Sequence, residues 1–138
     1  MEHRSEKEAS FLNVDLEIEA PYDLAPLVSA LGEQVFDLHS GLVGEGFQAH
    51  LELSGEAIRP KDAEVAIQGF VGLLARLTPE ARRLWDGATK RDFNIGIQGG
   101  IKPPAFELAL LPETLVAVGN LGARVVVTVY AAEPRIRR

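Results

Sequence analysis

Residues 35–54 decide the fold class: Val35-Phe36-Asp37-Leu38-His39-Ser40-Gly41-Leu42-Val43-Gly44-Glu45-Gly46-Phe47-Gln48-Ala49-His50-Leu51-Glu52-Leu53-Ser54. Phe47, Ala49, Leu51 and Leu53 alternate with Gln48, His50, Glu52 and Ser54, the period-two pattern of a strand with one wet face. Val35 to Ser40 reads as a second strand. The glycines between them predict a two-residue loop at Gly44-Glu45, with glycine first, as a type II′ turn prefers. In the register this sets, Phe36 meets Leu53 and Leu38 meets Leu51 on the buried side. His39 then faces His50, and Asp37 faces Glu52, on the outward side.

Upstream, Phe11 to Ala20 alternates in the same way. Leu12, Val14, Leu16 and Ile18 point one way, Asn13, Asp15, Glu17 and Glu19 the other. Pro21 ends that strand. Residues 23–33 place Leu24, Leu27, Val28 and Leu31 at helical spacing, with Asp23 as N-cap, Pro26 in the first turn and Gly32 as the stop.

Downstream, residues 61–77 carry the broad apolar stripe of a helix that packs on a sheet (Ala63, Ala66, Ile67, Phe70, Val71, Leu74, Leu77). Thr78-Pro79-Glu80 caps a second helix over 79–87, whose Trp85 reads as a core anchor beside Phe70. A strand follows over 91–98, a loop over 99–104, a short strand over 106–110 and a helix over 112–120. The closing strand, 123–131, is apolar enough to read as central in the sheet. Val125, Val127 and Val129 are expected to be buried under the helices, with Val126, Thr128 and Tyr130 on the other face. The whole predicts one α+β domain: a mostly antiparallel, twisted sheet of about five strands, with helices largely on one face. Residues 1–10 and 133–138 read as flexible tails of that single domain, 1–138.

Length agrees, because two cores in 138 residues would each fall near ~70, where stability is marginal. With no cysteine there is no disulfide, thiolate nucleophile or cysteine-ligated metal. The polar, mixed-charge start lacks the apolar region of a secretory signal, and no apolar run approaches the ~20 residues of a membrane helix. A cytoplasmic location is the expectation. Charge is uneven: residues 1–56 hold 12 acids and 2 bases, a net of −10, whereas residues 57–138 hold 8 acids and 12 bases, a net of +4. Either the halves interleave in one sheet and their charges partly cancel, or an acidic face is left for a basic protein partner; nucleic acid is disfavoured, since it needs a concentrated basic surface.

Within the second half, Ile67-Gln68-Gly69-Phe70-Val71-Gly72-Leu73-Leu74-Ala75-Arg76-Leu77-Thr78-Pro79, Phe93-Asn94-Ile95-Gly96-Ile97, Phe106-Glu107-Leu108, Pro112-Glu113-Thr114-Leu115 and Leu121-Gly122-Ala123-Arg124-Val125-Val126-Val127-Thr128-Val129-Tyr130 stand out. This pattern of apolar spacing and caps resembles the bacterial domain-of-unknown-function family numbered 4279, over roughly residues 11–131. The resemblance carries no catalytic signature and no functional residues. It implies at most an immunity-type or partner-binding role.

Catalytic motifs are absent. Gly41-x-x-Gly44-x-Gly46 lies between two strands rather than before a helix, so its glycines serve a turn and not a phosphate. No Ser sits in a G-x-S-x-G elbow. One constellation carries chemistry: His39, His50, Asp37 and Glu52, if they converge, would be a metal-ligand set or a His–carboxylate pair. The competing account is a solvated polar sheet face. The first expectation is a non-enzymatic binding module without a cofactor, using Asp15, Glu17, Glu19, Glu52, Thr128 and Tyr130. A small metal-dependent enzyme is second, and a homo-oligomer without chemistry third.

Overall fold

The computed structural model describes residues 8–54, 62–101 and 105–132. The expected tails fall mostly outside the described residues, as do Lys61 of the long helix and residues 102–104 of the loop. Five strands, β1 (Ser10–Ala20), β2 (Val35–Val43), β3 (Gly46–Leu53), β4 (Lys90–Gln98) and β5 (Arg124–Tyr130), form one sheet in the order β2-β3-β1-β4-β5. Four α-helices, α1 (Ala25–Leu31), α2 (Ala63–Ala75), α3 (Pro79–Asp86) and α4 (Pro112–Asn120), sit mostly on one side of it. The fold is the single α+β domain expected. The sheet is mixed: β2-β3, β3-β1 and β1-β4 pair antiparallel, and β4-β5 pairs parallel.

The alternation in β1 is realised as read. Val14, Leu16, Ile18 and Ala20 are buried under the helices, with Ala49 and Leu51 of β3 and Phe93, Ile95 and Ile97 of β4 alongside them. Leu24, Leu27 and Leu31 of α1 and its preceding residue, Ile67, Phe70 and Leu74 of α2, Trp85 of α3 and Val118 of α4 close the core from the other layer. Burying an aliphatic or aromatic side chain of this kind stabilises by about 1.5–3 kcal/mol.

Caps fix the helix starts. The Asp62 side chain accepts from the Val65 N–H at 2.8 Å and Thr78 Oγ1 accepts from the Ala81 N–H at 3.3 Å. At α1 the N-cap is Leu24, and Asp23 acts one residue earlier, taking the Ala25 N–H at 2.9 Å. Helix α4 has no capping side chain of its own. Glu64 of α2 supplies one: Oε1 accepts from the Leu111 N–H at 3.0 Å, and Oε2 accepts from the Thr114 hydroxyl and the Gln68 amide. The Thr114 hydroxyl, with Leu111 and Gln68, outweighs desolvation and holds the Glu64 carboxyl below its usual range. Glu64→Ala is therefore expected to cost about 1 kcal/mol, the typical worth of a helix cap, read as a lowered melting midpoint. Because the folded pKa is depressed, this contribution is present above the unfolded pKa and lost as pH falls through the folded one.

Three expectations are corrected. Phe106 to Leu110 forms no strand, although Leu108 and Leu110 still pack on the core. β5 is an edge strand, not a central one. Its connection through α4 returns it parallel beside β4, whose other side is already taken by β1. Val127 and Val129 do face the helix side, paired with Ile95 and Ile97, but at the edge nothing covers them enough: they are 54% and 61% exposed. The hairpin register holds only in part. Val43↔Gly46, Leu42↔Phe47 and His39↔His50 pair as read, and Gly44 (φ 61°) leads the turn with no positive φ at Glu45, as type II′ requires. A bulge at Leu38 then shifts the ladder by one residue. Phe36 faces Glu52 and Asp37 faces Leu51, so both swap faces relative to the expectation.

Candidate functional site

The face of the sheet opposite the helices is where the polar residues converge. β1 sends Asn13, Asp15, Glu17 and Glu19 to it, and its two neighbours answer in register. Glu17 stands between His50 of β3 and Asp92 of β4, and Glu19 between Gln48 and Lys90. β5 adds Arg124, Val126, Thr128 and Tyr130 at the far side.

Two hydrogen-bonded chains cross this face. In one, Lys90 Nζ lies 3.2 Å from Glu17 Oε1 and 3.5 Å from Glu19 Oε2. The Asn94 amide donates to Glu17 Oε2 at 3.1 Å, and the Thr128 hydroxyl donates to Asn94 Oδ1 at 2.8 Å. Burial works against the Lys90 charge, but the Glu17 hydrogen bond and charge, with Glu19 and Asp92, outweigh it and hold the ammonium above its usual range. Beside this chain Arg124 clamps Asp92 with two bonds of 2.8 and 2.7 Å; that fork, against desolvation, keeps Asp92 below the ordinary carboxylate value.

The second chain is acidic. The Asn13 Nδ2 group donates to Glu52 Oε2 at 2.6 Å and to Asp15 Oδ1 at 3.1 Å, so one amide nitrogen serves two carboxylates. Among the described residues neither carboxylate has an ion pair. Asp15 is half-buried. Desolvation first, then the charges of Glu52 and Glu17, push its carboxyl up to about 6 against the opposing pull of His50. Gly96 makes room for the Asn13 amide: a Cβ there would meet Asn13 Oδ1 at 2.8 Å and stand 3.7 Å from the Tyr130 ring. Glycine in a strand interior often marks such a close approach.

The expected partner-binding residues Asp15, Glu17, Glu19, Glu52, Thr128 and Tyr130 thus share one face. Glu17 and Glu19 are partly neutralised by Lys90, and Thr128 is engaged by Asn94. The expected metal set divides. His39 and His50 do come together, with ring centroids 6.1 Å apart in an edge-on arrangement. Glu52 is drawn to Asn13, however, and the bulge turns Asp37 to the helix side, where the Ser40 hydroxyl donates to it at 2.7 Å. Among the described residues no group of three or more His, Cys, Asp or Glu could hold a metal ion. Asn13, Lys90, Asn94 and Gly96 were not legible as site residues. Their signal is the β1-β4 register, which exists only once strand order is known.

Among the described residues the face is open rather than pocketed. A hollow of about 320 Å³ lies at its margin, lined by Glu19, Pro21, Val43, Glu45, Phe47 and Thr89, without convergent catalytic groups. Among the described residues no helix is long and apolar enough to cross a membrane. Comparisons with protein-family models, curated proteins and solved structures gave no match.

Proposed function

We propose that the protein is a non-enzymatic binding module that receives a basic protein segment on its open sheet face, in the manner of an immunity or other neutralising partner. The observation that carries this reading is the Asp15–Asn13–Glu52 bridge. Two carboxylates share one neutral donor on an uncovered surface, with no cation paired to them among the described residues. Like charges on neighbouring strands oppose folding, and a cationic partner relieves that opposition on binding. Glu19, at the margin, extends the field; Tyr130, exposed above Gly96, offers a flat ring to an aliphatic stem or a guanidinium.

The test pairs two baits, the wild-type chain and the Asp15→Asn, Glu52→Gln variant, in affinity capture from the source cells. A basic protein held by the wild type and lost from the variant is expected. Its association rate should fall as salt rises, because steering is screened beyond ~10 Å at ordinary ionic strength. Equal recovery on both baits, or a partner of net negative charge, would sink the reading.

A further inference from the structure

The two edges of the sheet are finished differently. β2, at one edge, is interrupted by the bulge at Leu38 and by Gly41 at φ 140°, and it carries Asp37. Such interruptions keep an edge from templating another strand. β5, at the other edge, has none of them. It follows β4 without a register shift, contains neither Pro nor Gly, and carries no charge after Arg124. Val127 and Val129 stand exposed on its helix side, and the adjacent α4 leaves Leu115 and Val116 exposed as well. The Tyr130 carbonyl accepts from the Gly99 N–H at 2.7 Å. By the alternation of a ladder, the backbone groups of Val125, Val127 and Val129 then point away from β4, toward an edge that no strand among the described residues occupies.

We propose that β5 pairs antiparallel with the β5 of a second copy of this chain, about a two-fold axis at Val127, joining the two sheets into one. The sequence is complementary to itself in that register. Val127 meets the partner's Val127, Val125 the partner's Val129, Val126 the partner's Thr128, and Arg124 the partner's Tyr130. These are β-branched pairs and a cation beside an aromatic ring, with no like charges opposed. The outward groups of Val125, Val127 and Val129 are those that would exchange hydrogen bonds. A two-fold contact of this kind closes, so it gives a dimer and no fibre. It leaves the acidic stretch of the open face uncovered and does not depend on the partner-binding reading.

Light scattering at high micromolar concentration should return twice the 15.0 kDa chain mass. Val127→Lys sets two ammonium groups side by side at the axis and should weaken the dimer roughly a hundredfold, since like-charge juxtaposition costs several kcal/mol. Val43→Lys, on the β2 edge, should leave it unchanged. Because the chain has no cysteine, Val127→Cys provides a single thiol. A short bis-maleimide should join two such chains covalently and should fail to join Val43→Cys chains. This readout decides the matter if the lysine variant does not fold. A wild-type monomer, a dimer indifferent to Val127→Lys, or cross-linking through position 43 in place of 127 would each overturn the proposal.

Discussion

Trp85→Ala is expected to lower the melting midpoint by about 10 °C or more. The indole is fully buried on α3, and its N–H donates to the Leu121 carbonyl at 2.9 Å, at the end of α4. Arg91, at the start of β4, lies over the ring at 5.9 Å. Its Nη1 donates to the carbonyls of Trp85, Asp86 and Ala88 and its Nε to that of Gly122. One cation therefore serves the C-terminal ends of two helices, where carbonyls lack partners and the helix dipole favours positive charge. Removing the indole empties the space these contacts surround. Trp→Ala in a core costs about 3–5 kcal/mol, against a total of about 5–15 for a domain. For a chain of this size each kcal/mol moves the midpoint by roughly 2–4 °C or slightly more. Trp85→Phe should fall between, since it keeps most of the volume but orphans the Leu121 carbonyl. Circular-dichroism melts decide it. An alanine variant melting within a few degrees of wild type would mean that α3 and α4 are not held through this residue.

Asp15→Asn should act in the opposite direction, stabilising the protein at neutral pH. The Asp15 carboxyl is raised from 3.8 to about 6 in the folded state. The folded protein therefore holds this proton more tightly than the unfolded chain. Between pH ~4 and ~6 stability falls as pH rises, and above ~6 the full penalty is in force. A shift of this size corresponds to nearly 3 kcal/mol, which solvent screening of a half-buried group reduces to about 1–2. The asparagine variant should thus melt several degrees above wild type at pH 7 to 8, and the gap should close near pH 4. Asp92 and Glu64, both depressed, bring the opposite sign at lower pH: their stabilisation is lost as pH falls through their folded pKa values. A midpoint difference between variant and wild type that stays constant from pH 4 to 8 would show that Asp15 does not titrate in that window. A stabilised asparagine variant that also loses its partner would show the carboxylate kept for binding rather than for folding.

What could be read from the sequence was local. Alternation in Phe11–Ala20, the Gly44-Glu45 turn and the Thr78-Pro79-Glu80 cap are decided by a few adjacent residues, and the structure keeps them. The bulge at Leu38 is not local in this sense. Either register of β2 offers some apolar residue to the helices, Phe36 and Leu38 in one and Val35 in the other, with Leu42 common to both, so composition does not choose between them. The valines of β5 misled for a related reason. An apolar strand suits a central place, but position in the sheet follows from the α4 connection and from β1 already occupying β4. The acidic face was legible strand by strand, as Asp15, Glu17 and Glu19 on one side of β1. Its wiring through Asn13, Asn94 and Lys90 was not, because it joins residues on strands that only the fold makes neighbours.

The central strand, β1, precedes every other strand among the described residues, and one of its two neighbours is made of residues 90–98, with Asn13 lying beside Gly96. On the ribosome, at roughly 5–20 residues per second, β1 therefore waits several seconds for that neighbour to be synthesised. Of the strands among the described residues, only β2 and β3 can join it in that interval. The edge later filled by β4 stays bare, above a half-formed layer of Val14, Leu16 and Ile18. Contacts so distant along the chain also make for slow closure of the sheet. The nascent chain is thus most exposed to a chaperone, or to its own kind, before β4 arrives.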